Sequence, residues 1–246
     1  MLDLAAAYEE TQQHLADLVR DLPGTALAMM VPASPAWSVK DVVAHVTGVA
    51  VDAAAGRIPP DVDLVLSLSD PEQAARREVL TAGQVEERRD RGIDEILDEW
   101  TSSLDSLLPM IRGEQPFPRP VPFGDAIVLT DLAVHAQDVR GALGRPGDRD
   151  SAGVRVALAS YAGALALRLA MRGLPPLRLR YAGKERLVGE GEPAATLSGE
   201  RFQIFRALAG RRSAAQMLAM DWEGDPTPYV ELIPAYGPPE APLVEG

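Results

Sequence analysis

Ala36–Gly48 reads AWSVKDVVAHVTG, and it predicts the start of a helix as well as which side of that helix faces a core. Ser38 is a good N-cap, and Asp41 three residues on can reach back to close an aspartate version of the capping box. Trp37, just before the cap, is placed to pack on Val42 as a hydrophobic staple. At about 100° per residue Val39, Val42, Val43, Val46 and Val49 share one face. His45 lies at the edge of that face, in a chain with only three histidines. A lone histidine there reads first as a satisfied core or rim residue, until a partner for it is found.

Working outward, residues 3 to about 20 give an amphipathic helix with Leu4, Tyr8, Thr11, Leu15, Leu18 and Leu22 near one face, closed by Pro23-Gly24. The Ser38 helix runs to about Ala55, where Gly56 and Pro59-Pro60 stop it. Residues 57–70 read as loop. The charged stretch ARREVLTAGQVEERRDR predicts a solvated helix whose arginines serve surface or intramolecular pairs. IDEILDEWTSSLDSLLPMI carries apolar residues at Ile93, Ile96, Leu97, Trp100, Leu104 and Leu107 or Leu108. After the proline-rich loop EQPFPRPVPFG comes a fourth helix, DAIVLTDLAVHAQDVRGAL, ending at Gly144 before Pro146. Four such helices make a bundle, since each needs another apolar stripe to cover its own.

The texture then changes. SAGVRVALASYAGALALRLAMRG predicts a long helix, apolar on more than one side and set between two domains. LRLRYAGKERLVGEG alternates apolar and polar residues around a glycine, a β-hairpin signal. ERFQIFRALAGRRSAAQMLAM reads as helix and PYVELI as a short strand. The expected fold class is therefore α plus α/β: a helical bundle over residues 1–150, then a small mixed α/β domain over 151–246.

Composition narrows the function. A formal charge of −12 disfavours nucleic acid and anionic membrane surfaces as partners. No segment approaches the ~18–20 uncharged apolar residues of a membrane span, and the acidic N-terminus lacks a signal-peptide pattern. With no cysteine there is no disulfide framework, thiolate metal site or cysteine nucleophile. A cytoplasmic protein is expected, and any thiol chemistry must use a thiol from outside. Lys40 and Lys184 are the only lysines, which points to a GC-rich genome.

The fourth helix supplies a partner for His45. Asp131 and His135 are four apart, hence neighbours on one face, beside the stripe of Val128, Leu132, Val139 and Ala142. A buried aspartate costs several kcal/mol unless it is paired or binds metal. Two alternatives stand: an Asp–His ion pair joining helices, or a three-ligand site made by His45, Asp131 and His135. Inward side chains on facing helices build bundle-core metal sites in this way. Two imidazoles and a carboxylate with an open fourth position suit catalytic zinc, with nickel, iron and manganese as alternatives. Asp138 reads as an arginine's salt-bridge partner or as an acceptor for His135, and His14 as a rim residue.

These residues, WSVKDVVAHV and DLAVHAQDVR, resemble the DinB-like metal-binding bundle. More narrowly, the chain resembles the mycothiol-dependent maleylpyruvate isomerase family of actinobacteria. SGERFQIFRALAGRRSAAQMLAMDWEGDPTPYV is similar to that family's C-terminal domain through its GRRS, its glutamine and its W-x-G-D-P. The resemblance implies metal ligands at His45, Asp131 and His135, with Asp131 where the characterised isomerase has a glutamate. It implies a C-terminal arginine on the substrate, for which Arg211 and Arg212 are the candidates and Arg201 stands behind them. It also implies mycothiol as thiol cosubstrate, acting as a thiolate that adds to an activated double bond or displaces a leaving group. Enzyme classes expected on this basis are cis-trans isomerase and thiol S-transferase acting on a small carboxylated substrate, in a monomer or homodimer. Two rivals are a non-catalytic metal- or ligand-binding module, and a metal-dependent hydrolase with Asp138 as its base.

Overall fold

The structure, a computed structural model, describes residues 2–64, 67 and 70–245. It divides into two compact units: one runs to Val156 and takes in Glu245, and the other covers Ala157–Val244.

The first unit is helical. α1 (Leu4–Val19) starts at Asp3, whose side chain accepts from Ala6 N–H. A short α2 (Gly24–Leu27) follows, and then a hairpin of β1 (Met30–Val31) and β2 (Ser34–Ser38). Neither α2 nor the hairpin was signalled by the pattern, since elements of two to five residues are too short for a period to emerge. α3 (Val39–Ala55) begins on the anticipated capping box: Ser38 Oγ accepts from Asp41 N–H, and Asp41 Oδ2 accepts from Ser38 N–H. Gly56 ends the helix in the left-handed conformation at φ 68°. A Cβ at that position would lie 2.8 Å from Pro118 Cβ, so glycine is needed for space as well as for backbone freedom. Ser38→Ala removes one half of the box and should cost about 1 kcal/mol, read as a lower urea midpoint at unchanged slope.

α4 (Pro71–Glu86) is capped by Asp70, which accepts from Gln73 N–H. It starts earlier and ends earlier than the charged stretch suggested, because Asp70-Pro71 is an N-cap followed by an N1 proline. Of the expected loop 57–70, residues 65, 66, 68 and 69 lie outside the described residues. α5 (Ile93–Ile111) and α6 (Gly124–Ala142) fall where their periodicity put them. Helices α1, α3, α5 and α6 pack on one another, and α4 lies against α3. Their shared core includes Tyr8, Leu15, Val42, Val43, Val46, Leu97, Trp100, Leu107, Leu129 and Leu132. Trp100 is fully buried, and its Nε1–H donates to Tyr8 Oη at 3.2 Å.

α7 (Ala152–Met171) is the long alanine-leucine helix, and the division between the units falls within it, at Val156/Ala157. Among the described residues it is the one helix long and apolar enough to cross a membrane. It nonetheless carries Arg155 and Arg168, and half of its apolar window is buried.

The second unit holds a four-stranded sheet in the order β4-β3-β5-β6. β3 (Leu177–Tyr181) and β4 (Lys184–Val188) form the anticipated hairpin, in register from Leu177↔Val188 to Tyr181↔Lys184. Ala182 and Gly183 both take positive φ, as a two-residue primed turn requires. β5 (Ala195–Ser198) pairs parallel to β3, and β6 (Asp221–Glu223) antiparallel to β5.

Two expectations are corrected here. Residues 200–220 are not one helix but two, α8 (Arg201–Leu208) and α9 (Ala214–Leu218). Gly210 at φ 74° breaks the first, and a Ser213–Gln216 capping box starts the second. PYVELI is not a strand: α10 (Thr227–Val230) is a helical turn there, because Asp225 accepts from Thr227 N–H and Pro226 and Pro228 fix the turn.

Candidate metal centre

α3 and α6 are in contact, and their facing sides bring together the three side chains read from the sequence. His45 Nε2 lies 3.4 Å from Asp131 Oδ2, and His135 Nε2 lies 3.8 Å from Asp131 Oδ1. One ligand atom from each of His45, Asp131 and His135 lies within 4.8 Å of the others, a group able to hold a metal ion. His45 is 2% exposed and His135 9%, whereas the Asp131 side chain is 28% exposed, so the cluster is approached from the Asp131 side. The imidazole centroids are 5.0 Å apart and edge-on, and the Trp37 ring covers both, 4.8 Å from His45 and 6.0 Å from His135.

A charge-assisted N–H···O bond closes to about 2.7–2.9 Å, and ligands about 2.0 Å from a shared tetrahedral ion stand about 3.3 Å apart. The His45–Asp131 and His135–Asp131 distances of 3.4 and 3.8 Å are longer than the first figure, and the three ligand atoms together fall within 4.8 Å.

Each imidazole also faces a polar side chain with its other nitrogen. His135 Nδ1 is 3.1 Å from Asp138 Oδ2, an ion-pair distance without hydrogen-bond geometry, and the Asp138 side chain has no exposed surface. His45 Nδ1 is 2.9 Å from Gln84 Oε1, and Gln84 Nε2 donates to Asp52 Oδ2 at 2.7 Å. Asp52 Oδ1 in turn accepts from Arg57 Nε at 2.8 Å. Acceptors on the far side of ligating histidines fix ring orientation and tautomer. Nearby, Tyr8 is buried, and burial raises its phenol well above the usual tyrosine range, with the Asp131 charge adding to the effect. It stays a neutral hydroxyl.

The remaining candidates lie apart from this cluster in sequence. His14 is a rim residue, 3.2 Å from Asp148 and 43% exposed. In the second unit Arg211 and Arg212 are buried: Arg211 Nη1 donates to Ala209 O, and Arg212 donates to Gln203 Oε1 and Arg211 O. Those bonds tie the turn between α8 and α9. Arg201 lies over the Tyr181 ring.

Gln84, Asp52 and Tyr8 were not singled out from the sequence as parts of a site. Asp52 carried a signal, since it is seven residues from His45 and so on the same face of a valine-alanine helix. Gln84 carried none.

Comparison with known proteins agrees with the architecture. Two solved structures share the fold over most of their length. One is a mycothiol-dependent maleylpyruvate isomerase, with a TM-score of 0.53 and 18% identity over 85% of this chain and 88% of that one. The other is a histidine-to-alanine mutant of such an isomerase, with a TM-score of 0.53 and 16% identity over 84% and 88% of the two chains. No curated protein matches. Residues 8–140, more than half of the chain, match the family model of the mycothiol maleylpyruvate isomerase N-terminal domain. That stretch contains α3, all but the last two residues of α6 and all three clustered side chains, and on this match the chain belongs to the mycothiol maleylpyruvate isomerase family.

Proposed function

We propose that this protein is a metal- and mycothiol-dependent enzyme, a cis-trans isomerase or thiol S-transferase acting on a small carboxylated substrate. The observation that carries the proposal is the convergence of His45 Nε2, His135 Nε2 and both Asp131 oxygens, at separations suited to a shared cation. The donor set, two imidazoles and one carboxylate, fits zinc first, then nickel, iron or manganese. A divalent cation held there would supply Lewis acidity and keep an external thiol as its thiolate at neutral pH.

The chain's own residues do the rest. Gln84 holds the His45 imidazole, Asp138 stands beside that of His135, Trp37 borders both rings, and the part-exposed Asp131 edge is the side from which thiol and substrate enter. In the isomerase form the thiol adds to one carbon of an activated double bond, rotation follows about the new single bond, and loss of the thiol restores the double bond. The thiol returns unchanged, in keeping with a chain that has no cysteine. Arg211 and Arg212 are the proposed holders of the substrate carboxylate, a role suited to the bidentate guanidinium.

The hydrolase alternative is disfavoured. Asp138, its required base, has no exposed surface and lies 3.1 Å from His135 Nδ1.

The test uses cobalt-substituted protein. Mycothiol should produce a sulfur-to-cobalt charge-transfer band, and a desulfurised mycothiol analogue should not. Asp131→Ala should abolish activity on an unsaturated diacid, while Asp131→Glu should keep metal and part of the activity. No band at saturating mycothiol would favour a non-catalytic module.

A further inference from the structure

The cluster rests on a buried chain of hydrogen bonds in which every direction is forced. Asp52 is a carboxylate and can only accept, so Gln84 must turn its Nε2–H towards it, as the 2.7 Å contact has it. Gln84 Oε1 is then left facing His45 Nδ1 at 2.9 Å, and an oxygen acceptor there requires the proton on Nδ1. With that proton placed, Nε2 carries the lone pair, and Nε2 is the nitrogen that faces Asp131. Arg57 fixes the far end: its Nε and Nη2 meet Asp52 Oδ1 at 2.8 and 2.7 Å.

The fold is shaped to admit this chain. Gly48 lies on α3 between His45 and Asp52, and Gln84 from α4 crosses it: a Cβ at position 48 would be 2.5 Å from Gln84 Cβ and 2.7 Å from Gln84 Cγ. Arg88, one turn on from Gln84, is 1% exposed, donates to Gln84 O and pairs through Nε and Nη2 with the two oxygens of Glu99. It thereby anchors the end of α4 to α5.

We infer that Gln84 and Asp52 are positioning residues that hold His45 in its Nδ1–H tautomer, so that Nε2 is the ligand nitrogen. Gly48 is the gap through which they reach it. The inference rests on the metal reading for its purpose, but the tautomer is a property of the metal-free protein and is measured separately.

Two measurements decide it. Long-range 1H–15N NMR of the metal-free protein should find His45 protonated on Nδ1. Zinc affinity by chelator competition should fall about 10- to 100-fold in Gln84→Leu, with the His45 tautomer no longer fixed, and Gly48→Ala should weaken zinc binding in the same direction. Gln84→Glu alone sets a second carboxylate against Asp52 and should also weaken binding. Combined with Asp52→Asn it rebuilds the chain with the same connectivity. The new amide donates to the new carboxylate and accepts from Arg57, and the carboxylate accepts from His45 Nδ1–H. The double variant should therefore bind zinc more tightly than either single change, a recovery that loss of packing alone does not produce.

An Nε2–H tautomer in the wild type overturns the inference. So does unchanged zinc affinity in Gln84→Leu, or a double variant no better than its tighter-binding parent. If the wild type binds no divalent metal, the metal reading falls instead, and the NMR result still decides the hydrogen-bond chain.

Discussion

On the metal reading, His45→Ala and His135→Ala should each lose most of the divalent metal, whereas His14→Ala, altered at the rim, should retain it. Elemental analysis of protein purified without chelator measures this directly. The first two changes remove one of the three side chains whose ligand atoms lie within 4.8 Å, while His14 pairs with Asp148 elsewhere in the same unit. Stability follows the metal. A ligand bound only by the folded state adds about 2.7 kcal/mol when present at 100 times its Kd. Added zinc should thus raise the unfolding temperature of the wild type and of His14→Ala, and leave the other two unmoved. Equal metal content in all three variants would mean that the cluster is an ion pair and the metal sits elsewhere.

Trp100→Ala carries the largest expected cost in stability. The side chain is the largest of those fully buried, in the cluster that joins α1, α3, α5 and α6. Its removal loses the transfer energy of an indole and leaves a cavity, together about 3–5 kcal/mol. It also deprives Tyr8 Oη of the Trp100 N–H. Against a total of about 5–15 kcal/mol for a domain, that is a large fraction. Equilibrium denaturation should show the midpoint falling steeply. Trp100→Phe, which keeps most of the volume but loses the donor, should recover much of the difference.

The bundle was legible because its helices announce their own ends. Ser38 and Asp41 start α3, Gly56 stops it, and the 93–111 and 125–143 stripes are long enough for a 3.6-residue period to be unmistakable. The second unit was harder. The hairpin at Leu177–Val188 had both alternation and a turn glycine. PYVELI had only a run of strand-forming residues, over six positions, and the Asp225–Thr227 bond with two prolines outweighed it. β5 and β6 are short, and their partners lie far away in sequence, so nothing local marks them. The same division runs through the site. Asp131 and His135 could be paired by helical spacing, and His45 stood out on a valine face. Gln84 could not be found, because a neutral glutamine among arginines and glutamates gains its role only from the close approach at Gly48.

The chain of hydrogen bonds from Asp52 through Gln84 to His45 has a consequence for the order in which the protein is made. Its residues span 39 positions and all precede α5 in the sequence. Asp131 and His135 are synthesised about fifty residues later, so for several seconds of translation, at roughly 5–20 residues per second, the nascent chain has His45 and neither of the other two clustered side chains. A single imidazole is a poor trap for a divalent metal. On the metal reading, loading would wait for α6, and the choice of metal would fall to the finished bundle rather than to whichever ion meets the emerging chain first.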